Sequence, residues 1–147
     1  MVNAMLLAEY ILYTCMKQGE PISNLQLQKI LYFIQGKYLA QKGVALFEDD
    51  FEAWQYGPVI RSVYSKYCGY GASSIVMVNQ PQEKLDKDIS DFINPIIQKL
   101  RKWDVWSLVQ ETHEEGGAWD RTFENGKGKY YIIPKNEIKR EFLSREH

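Results

Sequence analysis

At 147 residues with 45% hydrophobic content, the chain has the size of one ordinary domain and can bury a core without a metal or a disulfide staple. Eighteen Lys and Arg against nineteen Asp and Glu leave a formal net charge of -1, which excludes a general attraction to polyanions, so nucleic-acid binding would need a local basic patch. Cys15 and Cys68 form no CxxC pair and read as reduced, buried small residues in a reducing cytosol.

The opening run MVNAMLLAEYILYTCM contains Glu9, lacks a basic flank and shows no cleavage signature. No later apolar run reaches the roughly 20 residues that a bilayer span needs, and the expected location is the cytoplasm. Asn3 is placed to cap a first helix, with Leu6, Leu7, Tyr10, Ile11 and Thr14 at helical spacing up to Lys17. Ser23 and Gln26 make a capping box, and Ile22 with Leu27 its hydrophobic staple. The helix they open is expected over residues 24–41, with a stripe of Leu27, Ile30, Leu31, Ile34, Tyr38 and Leu39, and with Gly43 as a left-handed terminal residue. Gly36 beside that stripe is either a point of close helix approach or a tolerated glycine.

Phe51 to Gln55 alternates as a short strand, too short to stand without a partner. Tyr130 to Ile133 is the expected partner strand. Gly57-Pro58 is expected to turn the chain, with Pro58 opening a helix carrying Val59, Ile60, Val63, Tyr64 and Tyr67. Ile75 to Val78 is either a strand or a wrapped loop. Leu85 to Leu100 repeats at helical spacing, with a disturbance expected near Asn94 because of Pro95. Asp104 caps a further helix ending near His113, Trp119-Asp120-Arg121 suggests one helical turn, and Pro134 starts a terminal helix with Ile138, Phe142 and Leu143 inward.

Chemical motifs are sparse. The histidines are His113 and His147, and no HExxH, GxSxG, GxxxxGK or GxGxxG pattern occurs, so no metal ligand set, cofactor site or nucleophile elbow emerges. Asp49-Asp50 on a connection is too small a cluster for a cation. His113 with Glu111, Glu114 and Glu115 could supply a general base and acid for a hydrolase, or His113 could hold the helix end and reach the Trp54 region. Lys127, Lys129, Lys135, Lys139, Arg140 and Arg145, with Tyr130 and Tyr131 among them, could meet an acidic protein or nucleic acid, although Glu137, Glu141 and Glu146 dilute the patch. Trp54 and Tyr56 beside a rigid turn are either recognition groups or anchors of the strand. Periodicity leaves both open.

The runs Leu27 to Phe33 (LQKxLYF) and Gly36 to Ala40, the stretch Phe51 to Val59 (AWxYGPV), Val63-Tyr64, Thr112 to Glu115 and Trp119 resemble the Panacea antitoxin domain family, a group also described as phage-associated. The resemblance covers most of the chain. It implies a mainly α fold: a single compact helical domain over residues 1–147, of about five to seven helices with a small two-stranded β ribbon. It further implies a non-enzymatic protein-binding module without cofactor that neutralises a cognate protein toxin encoded nearby, with delivery of a partner to an ATP-dependent protease as the alternative. Direct nucleic-acid and membrane binding are not expected, and monomer and homodimer stand level. Trp54, Tyr56, Gly57, Pro58, Arg61, His113 and Trp119 are the residues expected to form the partner-binding or structural signature.

Overall fold

Ser23 starts the helix against which most other elements pack. The computed structural model describes residues 2–145. In it the Ser23 side chain accepts from the Gln26 N–H and the Gln26 side chain accepts from the Ser23 N–H at 2.9 Å. This reciprocal cap satisfies two of the free donors at the start of α2 (Asn24–Lys42). Its other end closes on Gly43, whose φ of +81° gives the expected left-handed cap.

Around α2 lie α1 (Ala4–Lys17), α3 (Arg61–Tyr67), α4 (Lys87–Leu100), α5 (Val105–Thr112), α6 (Ala118–Phe123) and α7 (Lys135–Arg145), with the strands β1 (Glu52–Trp54) and β2 (Gly57–Val59). The fold is mainly α: among the described residues there are seven α-helices and one two-stranded sheet. No helix is long and apolar enough to cross a membrane among the described residues. Asn3 accepts from the Leu6 N–H at 2.8 Å to cap α1, and Asp104 accepts from the Ser107 N–H at 3.0 Å to cap α5, as their positions before apolar runs require.

Over residues 27–36, α2 is buried around its circumference rather than along one stripe. Leu27, Ile30, Leu31, Tyr32 and Ile34 are fully covered, and so are Gln28, Lys29 and Gln35. Residues 27–36, enclosed by elements that include α1, α4, α5, α7 and β2, have no solvent face left for their polar side chains. Each therefore bonds backbone that would otherwise be buried without a partner. Gln35 donates to the Phe47 carbonyl at 2.8 Å and accepts from the Leu46 N–H at 2.8 Å. Gln28 accepts from the Ile60 N–H at 2.9 Å. Gly36 is the close approach: a Cβ there would stand 2.2 Å from the Phe142 ring on α7.

Five expectations are corrected. β1 pairs antiparallel with β2 as a hairpin, in the register Glu52↔Val59, Ala53↔Pro58 and Trp54↔Gly57, instead of with Tyr130 to Ile133. The latter segment still flanks β1, joined by the bridge Glu52↔Ile132 and by bonds from Tyr130 N–H to Ala53 O (2.7 Å), Ala53 N–H to Tyr131 O (2.8 Å) and Ile133 N–H to Phe51 O (2.8 Å). Pro58 lies in β2 and the next helix begins at Arg61. A proline's fixed φ suits an outer strand as well as a first helical turn. Cys68 is exposed while Cys15 is buried, and Leu143 faces solvent while Ile138 and Phe142 pack inward. α4 runs through Pro95 without a break.

Ile75 is buried beside Ile22, whose carbonyl takes its N–H at 2.8 Å, but Val76 and Met77 are exposed, so this stretch is a wrapped loop. Glu146 and His147 lie outside the described residues.

Candidate partner-binding surface

The hairpin of β1 and β2 gathers the seven signature residues. Gly57 follows the two-residue connection Gln55-Tyr56 with φ of +116°, and a Cβ on it would lie 2.7 Å from Thr112 Oγ1 and 2.9 Å from Lys29 Nζ. Both the backbone angle and the space require glycine. Pro58 is held from below, where the Lys29 amine donates to its carbonyl at 2.9 Å.

Trp119 on α6 donates its indole N–H to the Trp54 carbonyl at 2.8 Å. Its ring is stacked between His113 (centroids 3.7 Å apart, planes 1° apart) and Phe123 (4.7 Å, 16°). His113 thus reaches the Trp54 region through Trp119. Gly57, Pro58 and Trp119 are buried, and their place in this packing is structural.

The outer face is different. The Trp54 ring lies 5.0 Å from Tyr64 and 5.5 Å from Tyr130, with its N–H donated to Glu52 at 3.0 Å. The Arg61 guanidinium stands over Trp54 at 5.3 Å and over Tyr130 at 5.7 Å while pairing with Glu52 at 2.7 Å. This pairing holds the Glu52 carboxyl below the usual carboxylate range. Tyr56 is 47% exposed and meets the 57% exposed Trp106 of α5 edge to face at 5.6 Å. Lys129, Tyr130, Tyr56, Trp54, Tyr64 and Leu25 border a groove of about 370 Å³ between the hairpin and the start of α2.

Beneath the hairpin sits an unusual electrostatic floor. Lys29 is fully buried with no carboxylate to pair it among the described residues, and burial lowers its pKa from 10.5 to about 7. His113 also has a lowered pKa, from burial first and from the Lys29 charge second. Its Nε2 is buried without a hydrogen-bond partner. Two of the three glutamates named with it pair with Arg145, Glu111 at 3.1 Å and Glu114 at 3.7 Å. Among the described residues no group of three or more potential metal ligands comes together.

Arg145 completes a second buried network. Glu141 accepts from Arg145 at 2.8 Å, from the Tyr32 hydroxyl at 2.8 Å and from the Ala118 N–H at 3.0 Å. The Arg145 guanidinium also lies over the Phe33 and Phe142 rings at 5.4 and 5.2 Å. The C-terminal basic patch is dispersed by this pairing and by Lys135 with Asp50 (2.6 Å) and Arg140 with Glu137 (3.6 Å). Lys29, Gln28 and Glu141 were absent from the sequence-derived site. Their signal was available for Lys29 and Gln28, as polar residues inside the apolar run Leu25 to Ile34, but which backbone groups they serve depends on distant segments.

The fold and this face define a helical domain with a clamped hairpin, whose indole and phenol rings are divided between core and surface. The family model described as "Antitoxin SocA-like, Panacea domain" matches residues 27–120, and the chain belongs to this family. It is 33% identical to "Antitoxin SocA" of Caulobacter vibrioides (strain NA1000 / CB15N) over 141 residues, covering 86% of this chain and 73% of that protein. No solved structure matches the chain. The matched stretch contains all seven signature residues and the buried Lys29, while α1, α7 and Tyr130 fall outside it.

Proposed function

We propose that this protein is an antitoxin that binds and neutralises a protein toxin encoded nearby, as one domain acting in the cytoplasm and without chemistry of its own. The observation that carries the reading is the exposed aromatic face raised by the signature hairpin: Tyr56 against Trp106, and Trp54 with Tyr130 under Arg61. Such rings bury large area at low conformational cost, and aromatic and arginine side chains dominate interface energetics. Membership of the antitoxin family and the likeness to Antitoxin SocA support it further.

Binding of this kind needs a rigid platform. The Lys29 and Gln28 bonds to the hairpin, with the Trp119 bond to Trp54, supply one.

Co-expression with the adjacent reading frame tests the proposal. The neighbour alone should arrest growth, and the pair should grow and co-purify. The double variant Tyr56→Ala/Trp106→Ala should restore toxicity with its melting temperature unchanged. A harmless neighbour, or one that stays toxic and does not bind, would sink the assignment.

A further inference from the structure

The groove between the hairpin and α2 has a chemistry that narrows what can enter it. Its walls are Trp54, Tyr56, Tyr64, Tyr130 and Leu25, and Lys129 is the one charged side chain on its border. Among the described residues no carboxylate pairs with Lys129, whose ammonium rests 5.2 Å over the Tyr130 ring. Glu52, a carboxylate on the hairpin itself, has both oxygens taken by Arg61, at 2.7 and 3.0 Å. An aromatic slot with one unneutralised cation at its mouth is complementary to an apolar side chain with an acidic neighbour, and discourages a basic one.

The backbone offers a second element of recognition. At Tyr130 the groove meets the segment flanking β1, whose inner side is bonded to Phe51 and Ala53. Among the described residues nothing meets the Ile132 N–H, and Tyr130, which has a left-handed φ of +71°, Tyr131 and Ile132 are all exposed. An open edge of this kind can take an extended chain through main-chain bonds. The opposite edge is closed, because Pro58 lacks an N–H and its carbonyl is held by Lys29.

We infer that this groove, with the Tyr130–Ile132 edge, captures an extended segment of the toxin in which an apolar or aromatic side chain lies beside an aspartate or glutamate. The inference rests on the antitoxin reading and specifies where and by what chemistry the toxin is held.

The test is titration calorimetry of the purified neighbouring gene product against the whole protein and its variants. Ala72→Trp, at an exposed position on the groove border, should fill the groove, and Lys129→Glu should reverse its charge. Each is expected to weaken binding by about tenfold or more, while Lys129→Arg stays near the wild type. Lys99→Glu, outside the groove, should bind as the wild type does. Overlapping peptides of the partner should locate the acidic segment, and changing its carboxylate to lysine should rescue Lys129→Glu.

Circular dichroism melts identify any variant that fails to fold, and the charge-swap rescue then decides. A partner that binds wild type and both groove variants equally would overturn this inference and leave the antitoxin reading intact. A partner that does not bind the wild type would overturn both.

Discussion

The Lys29 amine donates to the Pro58 carbonyl at 2.9 Å, joining the second turn of the central helix to the outer strand of the hairpin in a place closed to solvent. Among the described residues a charged ammonium there has one neutral acceptor and no counter-ion, which explains why burial lowers its pKa to about 7. The bond holds the platform from which Tyr56 and Trp54 project.

A pH dependence of stability follows. In the unfolded chain Lys29 binds its proton up to about 10.5, whereas in the fold it releases it near 7, so between these values the unfolded state holds more protons. Stability therefore rises with pH across this window. The buried Cys15 thiol, raised from 9.0 to about 11, acts in the opposite sense above 9, so the rise is best read from pH 7 to 9. Urea midpoints should climb over that range in the wild type and stay flat in Lys29→Met. At pH 9 the variant should be less stable by about 1–3 kcal/mol, since the Pro58 carbonyl loses its donor. Parallel pH profiles for the two proteins would contradict this.

Gly57→Ala should destabilise the domain by about 2 kcal/mol or more, because a φ of +116° strains any side chain and the new methyl would meet Thr112 and Lys29. Gly43→Ala, also at positive φ but with nothing near its Cβ position, should cost less. Thermal melts of the two variants separate backbone strain from collision. Equal losses would mean that the collision is relieved at no cost.

His113→Phe should keep the stack on Trp119 and remove a ring nitrogen that is buried without a partner. Its stability is expected to equal or exceed that of the wild type, while His113→Ala loses about 1 kcal/mol of aromatic contact. If toxin neutralisation persists in His113→Phe, an imidazole-dependent step is excluded. Loss of neutralisation with an unchanged melting temperature would revive a chemical role.

Glu141→Gln removes the anion shared by Arg145, Tyr32 and the Ala118 N–H. Breaking one partner of a buried ion pair costs about 3–5 kcal/mol. The double variant Glu141→Gln/Arg145→Met should recover part of that loss. Chemical denaturation of the single and double variants measures it, and additive losses would show that the two residues act separately.

Much of the local structure was legible in the chain itself. The Ser23–Gln26 box, the Asn3 and Asp104 caps and the Gly43 terminus involve groups within four residues of one another, where bond geometry leaves few alternatives. Gly36 was legible in part: a missing Cβ beside an apolar stripe allowed close packing, but Phe142 as the occupant required the fold. The signature Trp54 to Pro58 falls in the β1–β2 hairpin. The partner of its strand is not legible locally, because Gly57-Pro58 suits a helix start as well as a hairpin return and local propensity does not choose between them. That choice is made by Lys29 and Gln28, which bond the Pro58 carbonyl and the Ile60 N–H from some 30 positions away.

The sequence by itself thus determined the family, the mainly helical class and the ends of the principal helices, all carried by short-range patterns. Tertiary structure alone decided which signature residues face outward. Trp119 and Gly57 are enclosed and Tyr56 is not, since burial depends on what the distant chain lays over each ring. It also turned Lys29, one of the three lysines of α2, into the support of the hairpin, because a buried amine is constrained by the carbonyl it meets and not by its neighbours in sequence.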